Sequence, residues 1–135
     1  MPELKGRIAL VTGGRRTRPL ALRLATQGAT VVVTAPRAST LASRIALASG
    51  NPHVHGLLID LASPDSVRAA AAEFIARYHR LHVLVTDVVR DECPLARLGP
   101  FLLANLLLDT MKRSGGGRVV RLLTTAGQPQ IWAAG

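Results

Sequence analysis

The sequence predicts an α/β fold built on a doubly wound parallel sheet. Three observations carry this. Apolar runs of strand length alternate with segments of helical period from residue 7 to residue 125. The strands are apolar along their whole length, as strands covered on both faces are. Gly and Pro punctuate the boundaries, and right-handed crossovers then wind the chain to both sides of the sheet.

Each element has its own warrant. RIALVT (7–12) is a short apolar run that ends in Gly and reads as a buried strand. In PLALRLATQG (19–28), Leu20 and Leu24, and Ala21 and Ala25, fall at helical spacing, closed by Gly28. ATVVVTA (29–35) is β-branched, a second strand. STLASRIALASG (39–50) reads as a helix with Ser39 as N-cap and Gly50 as its stop. HVHGLLID (53–60) is a third strand. SPDSVRAAAAEFIARYH (63–79) has the clearest helix start, with Ser63 as cap, Pro64 at the first helical position and Asp65 in the first turn. LHVLVT (81–86) is a fourth strand, and a long apolar helix is expected from about 94 to 113. After the turn SGGG (114–117), RVVRLLTT (118–125) gives a fifth strand, and the tail GQPQIWAAG reads as loop. No repeat or linker divides the chain, so residues 1–135 are expected to form one domain.

Composition narrows the function. Of 135 residues, 48% are apolar but only 3% aromatic, so the core must be Leu, Val, Ala and Ile. Cys93 is the only cysteine, which argues against a disulfide framework or a cysteine zinc cluster and fits a reducing, cytoplasmic setting. The stretch IALV is too short for a signal peptide, and FLLANLLL is too short to span a membrane. Seventeen basic residues against eight acidic ones favour anionic partners: dinucleotide phosphates, nucleic acid or acidic lipid heads. The arginines form no run and no aromatics interleave with them, so nucleic acid ranks last. Arginines on solvated faces are the plainer reading. His53 and His55 alternate along a strand, but no third ligand is in place for a metal. His79 and His82 flank a helix-to-strand turn and are expected at the surface, and Tyr78 reads as a packing residue.

Four stretches in order, LKGRIALVTGG, GATVVVTAPR, LIDLASPDSVRAAAAEFIARYHRLHVLV and LGPFLLANLLLDTMKRSGGGRVV, resemble the short-chain dehydrogenase/reductase family, especially its retinol-dehydrogenase-like branch. The resemblance runs from about residue 4 to 127. It implies a Rossmann-like sheet in the order 3-2-1-4-5, without the two further strands of the family, and hydride transfer between NADP(H) and a carbonyl or alcohol.

It also implies a cofactor loop of the form T-G-x-x-x-G-x-G. Thr12 and Gly13 match, whereas Thr17 and Pro19 stand where the other glycines belong. A Cβ at Thr17 crowds the approach to the pyrophosphate. Pro19 is tolerated at a helix start, although it biases Arg18 away from helical geometry. The helix N-terminus still attracts an anion, and Arg16 and Arg18 add charge beside it. No acid ends the second strand to read a ribose hydroxyl. Arg37 and Arg16 instead suit a 2′-phosphate, so NADP is favoured over NAD. Asp60, followed by Leu61, matches the family's adenine contact, and the plainer reading of Asp60 is a strand-end residue capping the next helix. Thr86 begins the turn after the fourth strand, where Asp87 brings an unhelpful negative charge.

The catalytic set is poorly matched. The family's Tyr-x-x-x-Lys pair would fall beyond Gly135, Thr124 holds the serine position, and Ala96 aligns with the asparagine. Three readings follow: an NADP(H)-binding fold impaired in its chemistry, a non-enzymatic interaction or homodimer scaffold using helix 94–113 or an open sheet edge, and a basic nucleic-acid binder.

Overall fold

A computed structural model describes residues 4–12, 17–34, 37–89, 98–125 and 128–134; for 87–89, 120–125 and 128–134 it describes the backbone alone. The elements run β1 (Ile8–Val11), α1 (Arg18–Thr26), β2 (Thr30–Thr34), α2 (Ala38–Ser49), β3 (Val54–Leu57), α3 (Pro64–Tyr78), β4 (Val83–Val89), α4 (Leu98–Arg113), β5 (Arg118–Thr125) and β6 (Gln128–Ala134). One sheet contains the strands in the order β3-β2-β1-β4-β5-β6. The first five are parallel, as expected.

The sixth strand corrects the sequence reading. The tail expected as loop pairs antiparallel with β5, from Val119 opposite Ala134 to Thr125 opposite Gln128. The edge of β5 expected to lie open is therefore covered by the chain's own tail. Pro129 carries no N–H, but an outermost strand tolerates that on its unpaired side.

The period of two along each strand divides the apolar runs between two cores. Leu10, Val32, Leu57 and Leu84 face α3 and α4, where Phe74, Leu103, Leu107 and Met111 meet them. Val11, Val31, Val33, Val54 and Val85 face α1 and α2, where Ala21, Ala25, Ala42 and Ile45 meet them. The second core is filled from the helix side mostly by alanine, which lets α1 and α2 lie close to the sheet. The first uses one aromatic, Phe74, fully buried.

Helix ends follow their sequence signals with two exceptions. Ser63 caps α3, its hydroxyl accepting from the Ser66 amide at 3.3 Å. Gly50 ends α2 in the left-handed region at φ 73°. Ser39, however, lies inside the first turn of α2, whose N-cap is Arg37 without a side-chain cap bond. Arg18, which Pro19 was expected to hold out of helical geometry, is the first residue of α1. The Ala21 amide already reaches the Thr17 carbonyl at 3.0 Å, so the missing amide of Pro19 interrupts nothing.

Candidate functional site

Connections from β1 run one way to β2 and β3, and the chain then returns to β4 on the other side of β1. The carboxyl ends of β1 and β4 are therefore the switch point of the sheet, the place where such sheets usually open a ligand crevice. Four buried threonines stand around it: Thr12 after β1, Thr17 before α1, Thr34 ending β2 and Thr86 in β4. The amide of Thr12 donates to the Val85 carbonyl at 2.8 Å, and its hydroxyl donates to the same oxygen at 3.1 Å. Thr12 thus fixes the point where the chain leaves β1 for the loop. Gly13 and Arg16 lie outside the described residues.

The start of α1 suits an anion. Its first turn contains no acidic residue, and Thr17 makes no side-chain cap bond. The first-turn amides of Arg18 and Leu20 have no carbonyl four residues earlier in the helix, and the helix dipole adds positive potential there. Arg18 is exposed at this position. Thr17 is buried. Arg37, also exposed, opens α2 after β2, and that helix too has no acid in its first turn.

Asp60 and Leu61 occupy the turn between β3 and α3. Asp60 is exposed and does not cap α3; Ser63 does. The Asp60 amide donates to Ser66 Oγ at 2.8 Å, and its Oδ1 accepts from the Ala62 amide at 3.0 Å. These bonds fix the turn. From the other side, a Cβ on Gly99 would run into the Leu61 carbonyl, so α4 presses its first turn directly on this loop. Glycine at 99 is what allows that approach.

Thr124 lies near the carboxyl end of β5, level with Val89 of β4 and Pro129 of β6. Ala96 and Cys93 lie outside the described residues, as do residues 94–97 of the expected helix, whose described part begins at Leu98.

Several histidines and the tyrosine sit elsewhere. His53 is exposed, and the ring of half-buried His55 lies 6.2 Å from that of Tyr78. Tyr78 packs on Phe74 at 4.9 Å, and its buried hydroxyl has no hydrogen-bond partner among the described residues. Burial pushes its pKa up, partly offset by Arg77. Among the described residues, no group of three His, Cys, Asp or Glu could hold a metal ion. His82 corrects its surface assignment: it is half-buried, and its Nδ1 accepts from the Ile8 amide at 3.0 Å. Sequence reasoning missed this because the partner amide lies 74 residues away.

The sequence profile of the short chain dehydrogenases matches residues 7–134. The chain belongs to the short-chain dehydrogenase family. It is 35% identical over 142 residues to dehydrogenase/reductase SDR family member 13 of Bos taurus, covering 93% of this chain and 38% of the relative. It is 32% identical to retinol dehydrogenase 11 of Mus musculus, covering 89% and 44%. The chain thus spans about two fifths of the length of these relatives. Among solved structures, the Pseudomonas aeruginosa RhlG/NADP active-site complex superposes with a TM-score of 0.70 at 27% identity, covering 84% of this chain and 52% of that one. A metagenomic short-chain oxidoreductase in complex with NADP shares the fold with a TM-score of 0.75 at 23% identity, covering 92% and 65%. No helix among the described residues is long and apolar enough to cross a membrane.

Proposed function

We propose that residues 1–135 bind NADP(H) as part of a carbonyl or alcohol oxidoreductase, in the cytoplasm, and do not by themselves complete hydride transfer. One observation carries the reading: the start of α1, whose first-turn amides have no intrahelical carbonyl, with no acid and with Arg18 exposed, lies at the carboxyl end of β1 beside the switch point between β1 and β4. Thr12 holds the exit of β1, Arg18 and Arg16 supply charge for the pyrophosphate, and Arg37 supplies it for a 2′-phosphate. Asp60 offers a carboxylate oxygen to an adenine amine, and Leu61 and Thr86 line the way to it. The bound cofactor would supply the hydride at its nicotinamide. These 135 residues include no Tyr-x-x-x-Lys pair to move the accompanying proton. Thr124 alone matches a catalytic position of the family.

Calorimetric titration with NADPH and NADH tests the reading. Micromolar NADPH binding, weakened about tenfold by Arg37→Ala with NADH unaffected, is the expected result; an Arg–phosphate contact is worth roughly this much. A folded sample that gives no heat with either cofactor refutes it. NADPH consumption with aldehydes or ketones should not exceed a blank. Turnover that Thr124→Ala abolishes would show that these residues suffice for chemistry.

A second reading has its own observation. Leu98, Phe101, Leu106 and Leu108 of α4 are exposed, Phe101 to 61%. This row fits a homodimer scaffold in which α4 packs on its copy.

A further inference from the structure

The pole of the molecule opposite the crevice carries a charge pattern that cofactor binding does not use. Lys5 and Arg7 precede β1, Arg80 precedes β4, Arg118 opens β5, and Lys112 and Arg113 end α4. All six are exposed. The backbone brings them together. The His82 amide donates to the Ile8 carbonyl at 2.9 Å, and the Arg118 amide donates to the His82 carbonyl at 2.8 Å. Arg7, Arg80 and Arg118 therefore stand at the amino ends of three adjacent strands, which span about 10 Å. Ser114 Oγ accepts from the Leu81 amide at 3.0 Å, which ties the end of α4 to the same edge.

None of the six cations is in an ion pair among the described residues, where the only pairs are Arg68 with Asp65 and Arg77 with Glu73. Of the described carboxylates, Asp60 and Asp65 follow β3 at the opposite pole and Glu73 pairs with Arg77, so exposed Asp109, one turn before Lys112 and Arg113, is the one beside these cations. Helix dipoles account for Lys112 and Arg113, which sit in a last turn. They do not account for Lys5, Arg7, Arg80 and Arg118, which precede or open strands.

We propose that this pole docks on an anionic bilayer surface, through acidic phospholipid headgroups. The cations spread over one end of the fold on long stems, with no ion pair among the described residues, which suits a plane of headgroups. Nucleic-acid readers lay a helix in a groove or stack aromatics on bases, whereas what defines this pole is a set of exposed cations at strand and helix ends. Juxtamembrane basic clusters bind such surfaces by the same summation of charge.

The test is sedimentation of the full chain with vesicles of phosphatidylcholine alone and with about a third phosphatidylserine. The expected result is partitioning onto the acidic vesicles only, lost on raising salt from 50 to 500 mM. The double variant Arg80→Glu, Arg118→Glu should lose at least tenfold, with its far-UV circular dichroism unchanged. Arg44→Glu with Arg68→Glu, the same change in net charge placed elsewhere, should retain binding. Equal loss in both double variants overturns the assignment to this pole. No binding to acidic vesicles at low salt overturns the proposal, and so does tighter retention by a duplex DNA than by the vesicles at the same salt.

Discussion

His82 shows how one side chain links the chemistry of the solvent to the sheet. Its Nδ1 accepts a hydrogen bond only while unprotonated, and that bond joins the start of β1 to the start of β4. Burial, then repulsion by Arg7 and by Arg80, lowers its pKa below the ordinary 6.5. The folded state thus takes up its proton at lower pH than the unfolded chain does. The stability from His82 is complete above pH 6.5 and is lost as pH falls through 6.5 towards the lower folded value. His55 adds to this in the same direction, through burial, then Arg77 and His53. Urea midpoints should therefore fall between pH 7.5 and 5.5, and His82→Gln should flatten the slope. A midpoint that rises over this interval would contradict the argument.

Between elements, small contacts set the spacing that the crevice depends on. Asn51 is buried, and its amide nitrogen donates to the carbonyls of Ala25 and Ala29 at 2.9 and 2.8 Å while its Oδ1 accepts from the His53 amide at 2.8 Å. One side chain thus ties the end of α1 and the entry to β2 to the entry to β3. Asn51→Ala removes three hydrogen bonds and leaves the Ala29 carbonyl without this donor, while the Ala25 carbonyl keeps the Gly28 amide, and should cost about 1–3 kcal/mol in urea denaturation. Gly56 in β3 answers a different need. A Cβ there would stand 2.7 Å from the backbone carbon of Ala38, so only glycine lets α2 start so close to the strand. Gly56→Ala should cost about 1–3 kcal/mol and shift Arg37 with the helix it opens. A variant as stable as the parent would show that α2 can retreat freely.

At the scale of the whole molecule, the two poles divide the work. The carboxyl ends of β1 and β4 form the switch point, and the amino ends hold exposed cations with no ion pair among the described residues. Between them the outer face of α4 leaves Leu98, Phe101 and Leu108 in solvent, at helical spacing that puts them on one side. A self-associating chain should show a dimer by light scattering, and Phe101→Glu with Leu108→Glu should return it to a monomer with helix content unchanged. A monomeric parent at tens of micromolar would remove the scaffold reading.

The alternation of strands and helices, the parallel order and the cap of α3 were legible because each depends on residues near in sequence: β-branched runs, helical period, Ser63 followed by Pro64. So was the family, because its stretches keep their order. The candidate site was legible in part. The altered glycine loop and the arginines could be named from the chain, but the hold of Thr12 on Val85 and the clamp of Gly99 on Leu61 could not. Those contacts join residues 73 and 38 positions apart, and no local pattern encodes them. The tail is the plainest case. QPQIWAA has a proline and weak alternation, so by itself it reads as loop. It becomes β6 because β5 offers an unpaired row of amides and carbonyls, and pairing with that row satisfies both. The sequence determined which segments could be strands and helices. The tertiary structure decided where distant backbone groups meet, because a hydrogen bond forms only between groups that the whole fold has already brought together.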